Sequence, residues 1–210
     1  MRHFVRPAYM LFAAVLVLAS CDAADNGMFE PTHTVQADFH ADSILVTVPG
    51  DDGKQYTLVE ADIKFPKLSA SKWIGKDGGY VILEGSSRDG LKKIMHVLII
   101  PDGAVQHRTL FTMTVSSPHF IKVDLRAQIE RKQKGDRVLV DVGQNGFNTP
   151  VMLALDHSLA SVTDLSRLTL LYDPENGQPW HDMGGFVFKG YENWVVAYLP
   201  HFSKYAVALD

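Results

Sequence analysis

The chain has 210 residues, enough for one sizeable domain or two small ones, and its 46% hydrophobic and 21% charged content excludes wholesale disorder. A formal charge of −4 at pH 7 supplies no basic field to gather nucleic acid. The nine histidines are scattered, none paired at the helical spacing of a zinc site, and a single cysteine excludes an intrachain disulfide.

At the amino end, Arg2 and Arg6 precede an apolar run over residues 8–18. A basic region followed by such a run is the pattern of an export signal, and the run is shorter than the about 20 apolar residues a permanent span needs. The segment Leu18-Ala19-Ser20-Cys21 then resembles the lipobox of bacterial lipoproteins. That resemblance implies cleavage after residue 20, diacylglycerol on the Cys21 sulfur, and a palmitate-type acyl group on the new amino terminus. Two or three chains anchor stably where one is marginal. The expected location is therefore a bacterial cell envelope, held to the membrane through Cys21 and facing the periplasm. Asp22 resembles an inner-membrane retention signal, with the outer membrane as the alternative.

Removal of residues 1–20 takes away Arg2 and Arg6 and no acid, which moves the formal charge from −4 to −6. Residues 21–42 read as the lipidated cysteine and a flexible tether, because Asp, Asn, Gly, Pro, Thr and His follow one another there without periodicity.

Residues 43–210 read as an all-β domain, an antiparallel β-sandwich. Residues 43–48 alternate, Pro49-Gly50-Asp51-Asp52-Gly53 turns, and residues 55–64 resume, giving a hairpin over 43–66. Residues 73–75 lead into Asp77-Gly78-Gly79, whose glycines can take positive φ. Residues 80–84 and 93–100 pair, Pro101-Asp102-Gly103-Ala104 turns, and strands follow at 110–115 and 120–127. The polar run 128–136, QIERKQKGD, reads as a solvated loop or hairpin tip. Further strands fall at 137–142, 150–156, 167–172 and 186–188, with one helical turn expected around 159–165 and a turn at 173–177. The chain closes with an expected hairpin of strands 194–199 and 202–208 about Pro200-His201.

Two of these stretches resemble the ZU-five domain, a β-rich module named for zonula-occludens proteins and a netrin receptor. One is Ile74-Gly75-Lys76-Asp77-Gly78-Gly79 leading into a strand; the other is the strand end Ile100-Pro101-Asp102-Gly103-Ala104. A proline ends the ladder and a glycine permits the turn after it. The order of a strand at 150–155, a strand at 167–172, Trp180 and a final His201-Phe202-Ser203-Lys204-Tyr205-Ala206 resembles the closing half of envelope proteins bearing this module. The likeness covers about residues 70–208, leaving the hairpin over 43–66 as an extra element. It departs after Val105, where the bulky Gln106-His107-Arg108 stands. It implies a non-enzymatic interaction or scaffold module without a shared cofactor or metal, its partner an envelope protein or polysaccharide.

One constellation could do chemistry. His201-Phe202-Ser203 is similar to the tripeptide at which certain ZU-five-containing scaffolds cut themselves. There Ser203 would attack the Phe202 carbonyl, His201 would accept the hydroxyl proton, and water would hydrolyse the resulting ester. The structural alternative makes Phe202 a core anchor, with His201, Ser203 and Tyr205 on the opposite side of a strand, at the rim or facing a partner strand. Other groupings carry weaker signals. Asp156-His157 or His181-Asp182 could join Ser203 as a hydrolase triad, but no Gly-x-Ser-x-Gly elbow exists. Asp156, Asp173 and Asp182 with histidines show no diagnostic metal spacing. Asp102 and Asp173-Pro174-Glu175-Asn176 fit turn chemistry better than calcium. Trp180, Tyr191 and Trp194 could line a groove, though aromatics in a β-protein are usually core.

Overall fold

β-Branched and aromatic residues recur in short runs between glycine- and proline-bearing turns, and in the computed structural model these runs are strands. The structure describes residues 45–210 apart from 118, 135, 184–186 and 192; of 145 and 187–191 it describes the backbone alone. Cys21, Asp22 and the segments expected to be an export signal and a tether lie outside the described residues.

The strands are β1 (Thr47–Pro49), β2 (Gln55–Leu58), β3 (Ile63–Lys64), β4 (Ser69–Ile74) and β5 (Gly79–Ser87). Then come β6 (Lys93–Ile100), β7 (Thr109–Val115), β8 (Lys122–Gln133), β9 (Asp136–Asp141) and β10 (Val151–Asp156). β11 (Leu168–Asp173), β12 (His181–Asp182), β13 (Val187–Tyr191), β14 (Trp194–Leu199) and β15 (Lys204–Leu209) complete the chain. They form two antiparallel sheets packed as a sandwich.

In the first sheet β15 is the central strand. β11 runs along one of its edges over Lys204–Leu209, while β8 and β2 share the other edge end to end. β7 and β4 continue beyond β8, and β9 pairs with the far half of β8. The second sheet runs β13-β14-β10-β6-β5-β3. Between them lies one core, to which Phe111, Met113, Leu125, Leu170 and Tyr205 contribute from the first sheet and Val81, Leu83, Leu98, Leu153 and Val195 from the second. A smaller cluster of Tyr56, Leu58, Leu171, Ala206 and Ala208 covers the outer face of the first sheet, with Val48 and Trp180 against it. Of the hairpin expected over 43–66, β1 and β2 pair and join the first sheet through β15, whereas Ile63–Lys64 does not continue β2 but is a separate strand of the second sheet paired with β5.

The two turns behind the ZU-five resemblance meet at one corner. Gly78 has φ 71°, and a Cβ there would lie 2.5 Å from the Ile100 carbonyl oxygen. Gly103 N–H donates to the Lys76 carbonyl at 2.8 Å, and Gly79 pairs with Ile100. Only glycine fits that close approach at positive φ.

The structure also corrects expectations further along the chain. Strands 194–199 and 202–208 are not a hairpin: β14 pairs with β10 and β13, and β15 with β11, β8 and β2, so they lie in different sheets. Both edges of each strand are already taken, and Pro200, which cannot extend a ladder, begins the crossing between sheets. Ser203 is buried with its hydroxyl on the Asp173 carbonyl, Tyr205 lies in the same core as Phe202 and not on the side opposite it, and the strand starts only at Lys204. Of the two forms expected for residues 128–136, the structure takes the hairpin tip: residues 128–133 end the twelve-residue β8 and pair with β9 in a two-stranded arm with polar side chains. Around 159–165 there is no α-helical turn; the chain bends, then makes a 3-10 turn at Leu165–Arg167 capped by Asp164, which accepts from Ser166 N–H at 3.0 Å.

Candidate functional site

The sheet-to-sheet link Pro200–Ser203 is fixed by hydrogen bonds from four directions. Phe202 N–H donates to the Gly143 carbonyl at 2.9 Å, and Leu125 N–H donates to the Ser203 carbonyl at 3.1 Å. Gln144 Nε2 donates to the Phe202 carbonyl at 2.8 Å, and the Tyr205 hydroxyl to the His201 carbonyl at 2.7 Å. The Phe202 ring packs edge-on to Phe111 at 5.8 Å and against Phe147 at 4.7 Å. Gly143 lets the chain pass closely, because a Cβ there would meet the Phe202 Cβ at 3.0 Å. Phe202 is therefore the core anchor that the strand reading expected.

The three residues of the tripeptide are adjacent but differently employed. The Ser203 hydroxyl donates to the Asp173 carbonyl. The His201 ring lies edge-on to Tyr172 at 5.1 Å, with its Nδ1 buried and unpartnered among the described residues. Gln144 is the residue sequence reasoning missed: its amide sits on the oxygen that would become negative if the Phe202 carbonyl were attacked. Positive φ among the described non-glycine residues occurs at Lys134 and Glu175, outside this link.

Beside the link, polar groups from the β1–β2 turn and from β2, β11 and β12 converge. His181 stacks on Tyr172 at 4.6 Å and pairs with the Asp51 carboxylate. The Tyr56 hydroxyl donates to Asp52 at 2.8 Å and contacts Asp182 at 3.2 Å, while Thr169 donates to Asp182. Backbone N–H of Lys54, followed by the Tyr56 hydroxyl, holds Asp52 below the usual carboxylate range. Burial and two neighbouring carboxylates push the Tyr56 phenol up, so it stays a neutral donor. Trp180 joins this region, exchanging backbone hydrogen bonds with Pro49 and Asp51, with Lys122 Nζ 4.7 Å from its ring. Burial lowers the Lys122 pKa. Each group here satisfies another, so the arrangement fastens β1, β2, β11 and β12 together.

The remaining candidates are dispersed. Asp156 accepts from Met95 N–H at 3.3 Å and Ser158 N–H at 2.9 Å, and its own N–H donates to His96 Nδ1 at 3.1 Å. That carboxylate ties the end of β10 to β6. Its neighbour His157 is buried and has its pKa lowered chiefly by desolvation. Burial drives His96 down to about 4. Asp173 and Asn176 accept from Glu175 and Gln178 N–H, closing the turn they were read to close, and Glu175 pairs with Lys204 at 3.2 Å. Asp102 is exposed in its turn. Trp194 is half-buried on β14 opposite Asp156, and the Tyr191 side chain lies outside the described residues. Among the described residues no group of three or more His, Cys, Asp or Glu is placed to hold a metal ion.

An open groove at the other end of the first sheet is lined by Trp73, His107, Arg108, Ile129, Glu130 and Arg131. The Arg108 guanidinium lies 5.0 Å over the Trp73 ring. The departure noted at 106–108 therefore places its bulky polar residues on this rim. In comparison with known proteins, no family model matches the chain and no curated protein is significantly similar to it.

Proposed function

We propose that this protein is a lipid-anchored cell-envelope protein whose β-sandwich acts as a non-enzymatic interaction module. The carrying observation is that the chain's sole cysteine falls at the one position the lipobox Leu18-Ala19-Ser20-Cys21 requires. The meeting of the Gly78 and Gly103 turns supports the ZU-five-like reading of the domain, because the two motifs of that resemblance form one structural corner. Asp156 and Ser203 are buried, Asp182 is half-buried, and each is hydrogen-bonded to residues outside the three, which supports a structural role for them over a hydrolase triad. No helix among the described residues is long and apolar enough to cross a membrane, and the proposed attachment is through acyl chains. Radiolabelled palmitate should enter the wild-type chain and not Cys21→Ala; an unlabelled wild type would remove the membrane placement.

A second reading, self-cleavage between Phe202 and Ser203, is favoured by one observation, the Gln144 amide on the Phe202 carbonyl. In that step the Ser203 Oγ–carbon bond forms, the Phe202–Ser203 amide C–N bond breaks, and the freed nitrogen takes the hydroxyl proton. Water then yields a Phe202 carboxylate and regenerates the serine. Against it stands the hydroxyl's present bond to the Asp173 carbonyl, away from a base. A Ser203–Asp210 fragment released under denaturing conditions would support this reading over the first.

A further inference from the structure

β9 is an edge strand. Among the described residues it pairs with β8 alone, in continuous register from Gln128–Asp141 to Gln133–Asp136. Its backbone orientation follows from one bond. Val142 N–H donates to the Ala127 carbonyl at 2.7 Å, which makes Ala127–Val142 a hydrogen-bonded pair. Antiparallel pairs alternate, so Ile129–Val140, Arg131–Val138 and Gln133–Asp136 are also bonded. Leu125 N–H donating to Ser203 on the same edge of β8 fits that alternation. Arg137, Leu139 and Asp141 then occupy non-bonded positions, and their N–H and C=O groups face away from β8.

That outward edge lacks most of the devices that blunt a free strand. It is six residues long, carries no proline, lysine or bulge, and holds Val138, Leu139 and Val140 in a row, with Leu139 47% exposed. Its charges fit one particular partner. Placed antiparallel to its own copy about Leu139, β9 sets Arg137 opposite Asp141 of the second copy and Asp141 opposite the second Arg137. Val138 then faces Val140, and Leu139 faces Leu139. The same register joins only the outward-facing groups, each such pair exchanging both N–H···O bonds. A register shifted by one residue would set outward groups against inward ones. The present Arg137–Glu130 contact, 3.6 Å between exposed side chains, is weak enough to be shared.

We propose that β9 pairs with β9 of a second copy of this chain, joining the first sheets of two molecules across a two-fold axis. This names a partner for the interaction module and rests on that reading, with anchoring of both copies in one membrane raising their effective concentration. The test uses the full chain in detergent, with molecular mass followed against concentration by light scattering. A reversible dimer is expected. Leu139→Pro should abolish it, since this N–H points outward and is not used by β8. Arg137→Asp turns both cross-strand attractions into repulsions and should raise the dimer dissociation constant about tenfold or more. As a readout independent of folding losses, Leu139→Cys in a Cys21→Ala chain should cross-link to itself on mild oxidation, while Glu130→Cys should not. A wild type that stays monomeric, or a dimer unaffected by Leu139→Pro and Arg137→Asp, would overturn the proposal. Either failure leaves palmitate labelling of Cys21 untouched, so it is distinguishable from failure of the anchoring.

Discussion

The β14–β15 link and the β9 edge are opposites. The link carries the residues that look reactive, and packing has consumed them: Phe202 is 1% and Ser203 4% exposed, with the hydrogen bonds of the link directed to neighbouring elements. The β9 edge carries residues that look ordinary, and leaves the backbone groups of Arg137, Leu139 and Asp141 directed outward. A reactive-looking triplet is a statement about side chains, whereas availability is a statement about where the sheet ends.

The largest way to break this contrast is to truncate each anchor. Phe202→Ala removes the ring packed against Phe111 and Phe147 and should cost about 3–5 kcal/mol in urea denaturation. Leu139→Ala should stay within about 0.5 kcal/mol. Comparable losses at both would mean that β9 is not a free edge.

Acid sharpens it next. His96 is buried with its pKa lowered to about 4 from 6.5, so the unfolded chain binds its proton first. The stability it protects is complete above about pH 6.5 and is lost as pH falls through 4, up to about 3 kcal/mol. His157 shifts in the same direction. His96→Asn keeps an acceptor for Asp156 N–H and should flatten melting temperature against pH between 6.5 and 4; an unchanged slope would place the acid sensitivity elsewhere. Gly78→Ala forces a side chain into positive φ against the Ile100 carbonyl and should cost at least about 1–2 kcal/mol by thermal melting. Smallest is Tyr205→Phe, which removes the hydroxyl on the His201 carbonyl and should cost about 1 kcal/mol.

Much of the fold was legible because β-structure announces itself locally. Gly78, Gly103 and Pro101 marked turns that the structure places where expected, and the alternation at Thr109–Val115 gave one buried face. What was not legible was pairing at a distance. Pro200-His201 has the composition of a hairpin turn, and only the filled edges of β14 and β15 make it a crossing. The charges of 128–136 signal solvation, which a protruding two-stranded arm satisfies as well as a loop does. Gln144 has no local signal, since its role depends on Phe202 lying 58 residues further along the chain. For the same reason the β9 edge could not be read from its own six residues.

The most direct test is a single intact-mass measurement on the chain extracted from membranes. Lipid anchoring of an uncut module predicts one species that starts at Cys21, carries diacylglycerol and acyl mass, and still ends at Asp210. A chain without lipid mass, or one ending at Phe202, would contradict it.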